Sequence, residues 1–382
     1  MNILILSGRH DLHAQAVAWA LNQQHIAATV LDVTDFPSNR RLTLWPGAGS
    51  DKPLHSAADM ASDEILELAD VSAVWCRRLC LERQHLDYDK VHPSDLDNVA
   101  TNSSIFVSGM WYFIKEAVRQ DANWINPLEA VASGNSKARQ LRVASSVGFT
   151  IPETIMSNDA QQIRDFFSDG DHEMIMKPFA PVGWKENSSV YLLPTTIITK
   201  EDLADDASVQ VYPAIFQRLV KKKYELRVTI FGDHIISVKL NSQAHAHTAV
   251  DWRLDLEKPM MQIEPHELDE ASKSKILRLM RKMGLKTGSM DFIVDEHDNL
   301  VFLEVNEQGQ FLFLETHCPE IPMLAFACQY FAEEAGFTGQ FSWPSLNDFL
   351  QSDSHNRIQA QKKVKDAGRR LCPNVGLAFH PN

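Results

Sequence analysis

The apolar positions of this chain fall into short runs separated by stretches of helical periodicity. Asn2–Leu6 is a near-continuous apolar run closed by Ser7 and Gly8, the pattern of a strand buried on both faces. Leu12, Ala16, Trp19 and Ala20 then recur at helical spacing, which predicts an amphipathic helix, and a second strand is expected over Ala28–Asp32. Strand, helix and strand in that order predict the opening of an open α/β sheet. Val71–Cys76 reads as a further strand. A long helix is expected from about Ser94 to Gln120, with Val99, Ile105, Phe106, Trp111, Phe113 and Ile114 as its core stripe. Asn123–Pro127 closes the region.

Further along, a helix is predicted from Asn135 to Val147, stopped by Gly148, and Thr150–Thr154 follows as an extended piece. Glu173–Lys177 alternates as a strand does and ends at Pro178. Phe179–Ser189 has few strong structure formers and is expected to be a mobile loop. Ala214–Leu219, Tyr224–Phe231 and His234–Leu240 are predicted strands, the last two joined by Gly232 and Asp233. A helix over Glu267–Met283 ends at Gly284. The pattern then predicts a hairpin, with strands Ser289–Val294 and Leu300–Asn306 joined by the polar turn Asp295–Asn299.

A length of 382 residues calls for two or three domains, and 44% hydrophobic with 23% charged residues is ordinary for a globular protein. The net charge of −13 argues against non-specific binding to nucleic acid or to an anionic membrane, so neither is expected as a partner. Five cysteines, Cys76, Cys80, Cys318, Cys328 and Cys372, match no zinc spacing and suit free thiols in a reducing compartment. The first residues lack the basic start of a signal peptide, and no run is long enough to span a bilayer. A cytoplasmic location is expected.

The hairpin carries the sharpest chemistry. Glu304 and Asn306, two apart on a strand, point to one face, and a hairpin partner can bring Asp291 beside them. Carboxylates converging among apolar neighbours need a cation, and a hard oxygen set of this density suits Mg. Upstream, Lys177 lies in an otherwise apolar strand and needs an anionic partner, for which a nucleotide phosphate would serve. Lys137 opens a helix, where the dipole disfavours a cation unless it holds an anion. Glu225 and Arg227 share one face of a strand. Arg77 and Arg78 stand at the carboxyl end of a strand in an open sheet, where such sheets bind ligands. Each has an ordinary alternative: solvated side chains, a cross-strand salt bridge, a surface pair. Gly8 alone is far short of a dinucleotide fingerprint, and His245 with His247 lacks further ligands for a metal.

Taken together and in order, Lys137, Lys177 before Pro178, the strand leading to Gln217–Leu219, Glu225 with Arg227, and Asp291 with Glu304 and Asn306 resemble the ATP-grasp superfamily. The Val74–Arg78 stretch, Glu225–Thr229, Asp251–Arg253 and Phe302–Gln310 are similar to the microviridin-type ATP-grasp maturases, the graspetide synthetases. That resemblance implies an α/β (α+β) architecture. An open pre-ATP-grasp α/β domain (1–125) precedes a two-part grasp fold (126–212 and 213–336) with ATP between two β-sheets, and an extension (337–382) follows. It implies ATP and Mg as cofactors, with Lys137 and Lys177 on the phosphates, Gln217 and Leu219 on adenine largely through the backbone, and Glu225 on the ribose. Asp291, Glu304 and Asn306 would hold Mg. Arg227 would act on the transferring phosphoryl group, with Lys177. Arg77, Arg78 and Arg253 would contact substrate. It further implies a ribosomal precursor peptide with a leader as substrate, crosslinked through esters or amides, and a homodimer. Two other functions fit the same elements: an amino-acid or protein-tail ligase of the glutamate-ligase or glutathione-synthetase type, and a non-catalytic ATP-binding module. The basic stretch Arg357–Arg370 reads as a solvated helix face or an acidic-partner surface.

Overall fold

A computed structural model describes residues 1–8, 10–32, 36–37, 41–45, 54–59, 62–78, 91–168, 172–179, 183–186, 189–245, 248–255 and 261–368. Cys80, His247, Arg369, Arg370 and Cys372 lie outside the described residues. The chain divides into two compact units. One comprises Met1–Val131, Gly284–Thr287 and Gln308–Ala367, and the other Ala132–Met283, Gly288–Glu307 and Gly368–Asn382.

The first unit begins with β1 (Asn2–Leu6), α1 (Leu12–Gln23) and β2 (Ala28–Leu31), then β3 (Arg41–Thr43), β4 (Leu54–Asp59), β5 (Ser62–Leu66) and β6 (Val71–Cys76). The long helix α2 (Leu96–Ala117), β7 (Asn123–Ile125) and α3 (Leu128–Gly134) follow. Strands β2-β1-β6-β7 form the expected open parallel sheet, with Ile3 opposite Ala28 and Ala73. Its apolar runs are buried because helices cover a parallel sheet. Asp11 starts α1 by accepting the Ala14 N–H at 2.9 Å. In α2, Trp111 and Ile114 are buried as the periodicity requires, but Ile105 is 66% exposed. The expected stripe was too wide there: Val107 and Met110 face the core instead.

The second unit opens with α4 (Lys137–Ser146), β8 (Thr154–Ser157), α5 (Ala160–Ser168), β9 (Met174–Lys177), β10 (Gly183–Glu186), β11 (Ser189–Leu192), β12 (Thr196–Ile198), α6 (Asp206–Gln210) and β13 (Ala214–Arg218). It continues through β14 (Lys222–Phe231), β15 (His234–Leu240), β16 (Ile263–Pro265), α7 (Glu270–Met283), β17 (Thr287–Asp295) and β18 (Leu300–Asn306). The larger sheets are β12-β9-β13-β8 and β16-β15-β14-β17-β18. Ser136 caps α4, and Gly148 stops it with φ at +90°, which only glycine adopts without strain. The hairpin turn is set by Asp295, whose carboxylate accepts the His297 and Asn299 N–H groups. Where a loop was expected over Phe179–Ser189, β10 and β11 pair as an antiparallel hairpin, Gly183 opposite Leu192 and Trp184 opposite Tyr191. Trp184, Val190 and Tyr191 supply the strand propensity that the intervening polar residues hide.

The chain returns to the first unit with α8 (Leu312–His317), α9 (Met323–Glu334), α10 (Leu346–Leu350) and α11 (Asp353–Gly368). The buried Glu315 carboxylate joins two of these helices by accepting the Leu324 N–H at 2.8 Å and the Leu346 N–H at 2.7 Å. Residues 337–367, for which the sequence offered no role, are thereby built into this unit. No helix of the described residues is long and apolar enough to cross a membrane.

Candidate functional site

Alternation along three neighbouring strands builds one polar sheet face. Glu225, Arg227 and Thr229 on β14, Ser289 and Asp291 on β17, and Glu304 and Asn306 on β18 lie on it, because Ser289 pairs with Asn306 and Asp291 with Glu304. The Thr229 and Ser289 hydroxyls meet at 3.0 Å. The opposite face carries Leu226, Val228, Met290, Phe292 and Val305, all buried, with Phe149 packed on Phe292 at 5.2 Å. A one-residue slip of β18 would exchange the two faces, so the apolar core fixes the position of every charge.

Charges on the polar face are matched in pairs. Arg227 Nη1 donates to both Asp291 oxygens at 2.9 Å, and both side chains are buried. Burial pushes the Asp291 carboxyl above its ordinary range, with Arg227 opposing and Glu304 adding to the rise. Lys137 Nζ donates to Glu304 Oε2 at 2.5 Å, each side chain keeping 19% of its exposure. Burial would raise Glu304 too, but Lys137 and then Lys177 hold it down at about 2. Lys177, from the other sheet, feels Glu304, Lys137, Arg253 and Asp251. Its ammonium is pushed down by burial first, Glu304 pulling it back up.

Arg253 is held by Asp251 through a two-pronged contact, Nε to Oδ1 at 2.8 Å and Nη2 to Oδ2 at 2.7 Å, with its own backbone N–H on Oδ1 at 3.1 Å. Its Nη1 lies 3.9 Å from Glu304 Oε1. Burial raises the Asp251 carboxyl, but the Arg253 bonds prevail and hold it below its ordinary range. Glu225 is paired with Lys222 at 2.7 Å, and burial still pushes its carboxyl up. Gln217 donates to the Thr154 hydroxyl at 2.8 Å, while its buried Oε1 has no hydrogen-bond partner among the described residues. The backbone N–H of Leu219 donates to the Glu173 carbonyl at 2.8 Å.

Arg77 and Arg78 differ sharply. Arg77 is 1% exposed; it bonds the Asp11 carboxylate at 3.3 Å and the carbonyls of Gln308 and Gly309. A substrate contact by that guanidinium would require these bonds to be broken, because the side chain of one strand-end residue turns inward and its neighbour outward. Arg78, 46% exposed and 2.9 Å from Asp11, is the member of the pair a ligand can reach.

The donor set fits Mg. Asn306 Nδ2 lies 3.4 Å from Asp291 Oδ2 and 3.3 Å from Glu304 Oε1, so two carboxylates and a carboxamide whose oxygen is one amide flip away converge in one volume. Among the described residues no group of three or more His, Cys, Asp or Glu could hold a metal, which leaves this mixed oxygen set as the candidate.

Two contributors were given no role of their own in the sequence. Asp251 orients Arg253, and its signal was an acid two residues before the arginine. Gln140, on α4, bonds the main chain of Val305 through both ends of its amide. A polar residue on the buried face of a helix, three positions from Lys137, was the available signal.

No protein-family model matches this chain, and no curated protein matches it by sequence. Solved structures do. The macrocyclase MdnC of Microcystis aeruginosa MRC, bound with its precursor peptide MdnA, is 26% identical with a TM-score of 0.73, covering 87% of this chain and 100% of MdnC. A Chryseobacterium gregarium RiPP-associated ATP-grasp ligase, in complex with ADP and a leader and core peptide, is 21% identical with a TM-score of 0.74, covering 89% and 98%. The ATP-grasp ligase PsnB with Mg, ADP and a phosphomimetic minimal precursor is 20% identical at 0.68, covering 87% and 98%. The chain has the ATP-grasp fold. Within that fold it resembles the ligases that mature ribosomal peptides.

Proposed function

We propose that this chain is an ATP-dependent ligase that activates Asp or Glu side chains of a ribosomally made precursor peptide as acyl phosphates and joins them to Ser, Thr or Lys side chains as ω-esters or ω-amides. The supporting observation is the convergence of Lys137, Lys177, Arg227, Asp291, Glu304 and Asn306 around one small volume in a chain that matches peptide-bound ATP-grasp ligases over nearly their whole length.

A carboxylate is a poor electrophile. A substrate carboxylate oxygen attacks the γ-phosphorus of ATP, the bond to the β-bridging oxygen breaks, and ADP leaves. A hydroxyl or amine then attacks the acyl carbon, phosphate departs and the proton is lost to solvent. Such a path needs positioning and charge stabilisation rather than an enzyme nucleophile. Lys137 and Lys177 bind the phosphates and Arg227 steadies the transferring group. Asp291, Glu304 and Asn306 would hold Mg, which supplies charge neutralisation on the phosphates when bound. Glu225 binds the ribose, Gln217 and Leu219 line the adenine, and Arg253 orients the substrate carboxylate; Arg78 is a separate candidate for a substrate contact. Arg253 is suited to that task because Asp251 fixes its fork while half of the side chain stays open. A leader-bearing peptide as partner, a homodimer and a cytoplasmic location complete the proposal.

The test is to incubate the protein with MgATP and a Ser-, Thr-, Asp- and Glu-rich peptide encoded beside its gene, and to follow intact mass. Loss of one water per ADP released is the expected result. ADP release driven by free amino acids with no change in the peptide would replace it with an amino-acid ligase, and silence in both assays would leave a nucleotide-binding module.

A further inference from the structure

Gln140 is 1% exposed, and its amide makes three hydrogen bonds. Nε2 donates to the Gly134 carbonyl at 2.6 Å and to the Val305 carbonyl at 2.8 Å, and Oε1 accepts the Val305 N–H at 3.1 Å. Strand β18 is the last strand of its sheet, with β17 on one side; on the other, Thr150 bridges it at Val301 and Phe302, short of Val305. An edge strand presents unpaired peptide groups that must be covered or solvated. Here a side-chain amide offers one donor and one acceptor to the N–H and C=O of a single residue, Val305, as a neighbouring strand would.

The residue it grips lies between the proposed metal ligands. Val305 is flanked by Glu304 and Asn306, while its own side chain is buried on the opposite face. On the same helix, Lys137 stands three residues before Gln140, hence on the same side, and reaches Glu304 at 2.5 Å. Helix α4 is therefore tied to β18 at two points, one through a charge and one through the backbone. The first can exchange partners when a phosphate arrives; the second cannot.

Building on the function proposed above, we infer that Gln140 is a positioning residue. It holds the Glu304–Asn306 backbone in register with Lys137, so that the metal ligands and the phosphate-binding ammonium keep a fixed spacing while the ion pair between them opens. A supporting group one step removed from a metal ligand commonly changes metal affinity by about 10–100-fold when lost.

The test measures Mn2+ binding by calorimetry in the presence of ADP, which needs no peptide and no turnover. Gln140→Leu removes the amide at similar volume, and the expected result is Mn2+ binding weakened about tenfold, with ADP affinity in EDTA unchanged. Gln140→Glu keeps the shape but sets a carboxylate against two carbonyls; the same weakening is expected, and this variant decides the matter if the first fails to fold. Arg139→Ala is the structural control. Arg139 ties α4 to α7 through Met283 and Lys282 rather than to β18, so its loss should lower the melting temperature and leave Mn2+ binding intact. Unchanged Mn2+ affinity in a folded Gln140 variant, or an equal loss in Arg139→Ala, would overturn the inference. Absence of Mn2+ binding by the wild-type protein would instead overturn the metal site on which it rests.

Discussion

Arg227 sets a single guanidinium nitrogen 2.9 Å from each carboxylate oxygen of Asp291, with both side chains buried. The function proposed for this chain assigns the arginine to the transferring phosphoryl group and the aspartate to the metal. In this structure each is the counter-ion of the other. Two buried charges of opposite sign, on the neighbouring strands β14 and β17, neutralise each other. MgATP brings a cation for the aspartate and an anion for the arginine, so the pair can exchange partners without either charge standing alone.

Removing one member of this pair should therefore cost more than removing both. Arg227→Met leaves the Asp291 carboxylate buried without its main cation, and a loss of about 3–5 kcal/mol in denaturant unfolding is expected. Arg227→Met combined with Asp291→Asn should recover at least half of that loss. Equal destabilisation in the single and double variants would mean that the pairing does not govern stability here.

The two arginines after β6 should separate cleanly. Arg77→Met removes a buried cation from Asp11 and from the carbonyls of Gln308 and Gly309, so unfolding free energy should fall by about 3 kcal/mol or more. Arg78→Ala acts on a half-exposed side chain and should change stability by no more than about 0.5 kcal/mol, while raising the KM for the precursor peptide several-fold. Paired thermal melts and peptide titrations check both arms. A stable Arg77→Met protein with a raised peptide KM would return that residue to the substrate.

Much of the site was legible because strand alternation is strict. Once Glu304 and Asn306 were read on one strand and Glu225 and Arg227 on another, the apolar residues between them decided which way each charge would point. The lysines were legible as misfits, Lys177 in an apolar strand and Lys137 at a helix start. What stayed hidden depends on contacts distant in sequence. Nothing near Gln140 announces that its partner is the backbone of Val305, and nothing at Arg77 says that its carbonyl acceptors lie at Gln308 and Gly309. Adjacent arginines at a strand end are equivalent in sequence; only the packing around Asp11 turns one of them inward. The β10–β11 pairing was missed because two four-residue strands separated by two polar residues carry too little periodicity to stand out.

Metal dependence should follow the oxygen set. Chelation with EDTA is expected to stop ADP release, and added Mg to restore it. Glu304→Gln should lower turnover at least about a hundredfold, since it removes the charge of one proposed ligand, yet spare most of the affinity for ADP measured without metal. Crosslinking by Glu304→Gln at the wild-type rate would show that this carboxylate is not part of the metal site.

The Lys137–Glu304 pair carries a pH signature of known sign. Glu304 is held at about 2, below its ordinary 4.5, so the folded protein binds this proton less readily than the unfolded chain does. Its contribution is then complete above the unfolded value and is lost as pH falls from about 4.5 toward 2. The span corresponds to about 3 kcal/mol shared among the cations around the carboxylate, Lys137 first and Lys177 next. Lys137→Met should accordingly destabilise the protein most at neutral pH. The gap from wild type should narrow steadily below pH 4.5, as Glu304 takes up its proton first in the variant and only toward pH 2 in the wild-type protein. Denaturant unfolding of both proteins at pH 7, 4 and 3 measures the gap directly. A gap that stayed constant across that range would mean that Lys137 stabilises the fold through its packing on α4 and not through the charge it presents to Glu304.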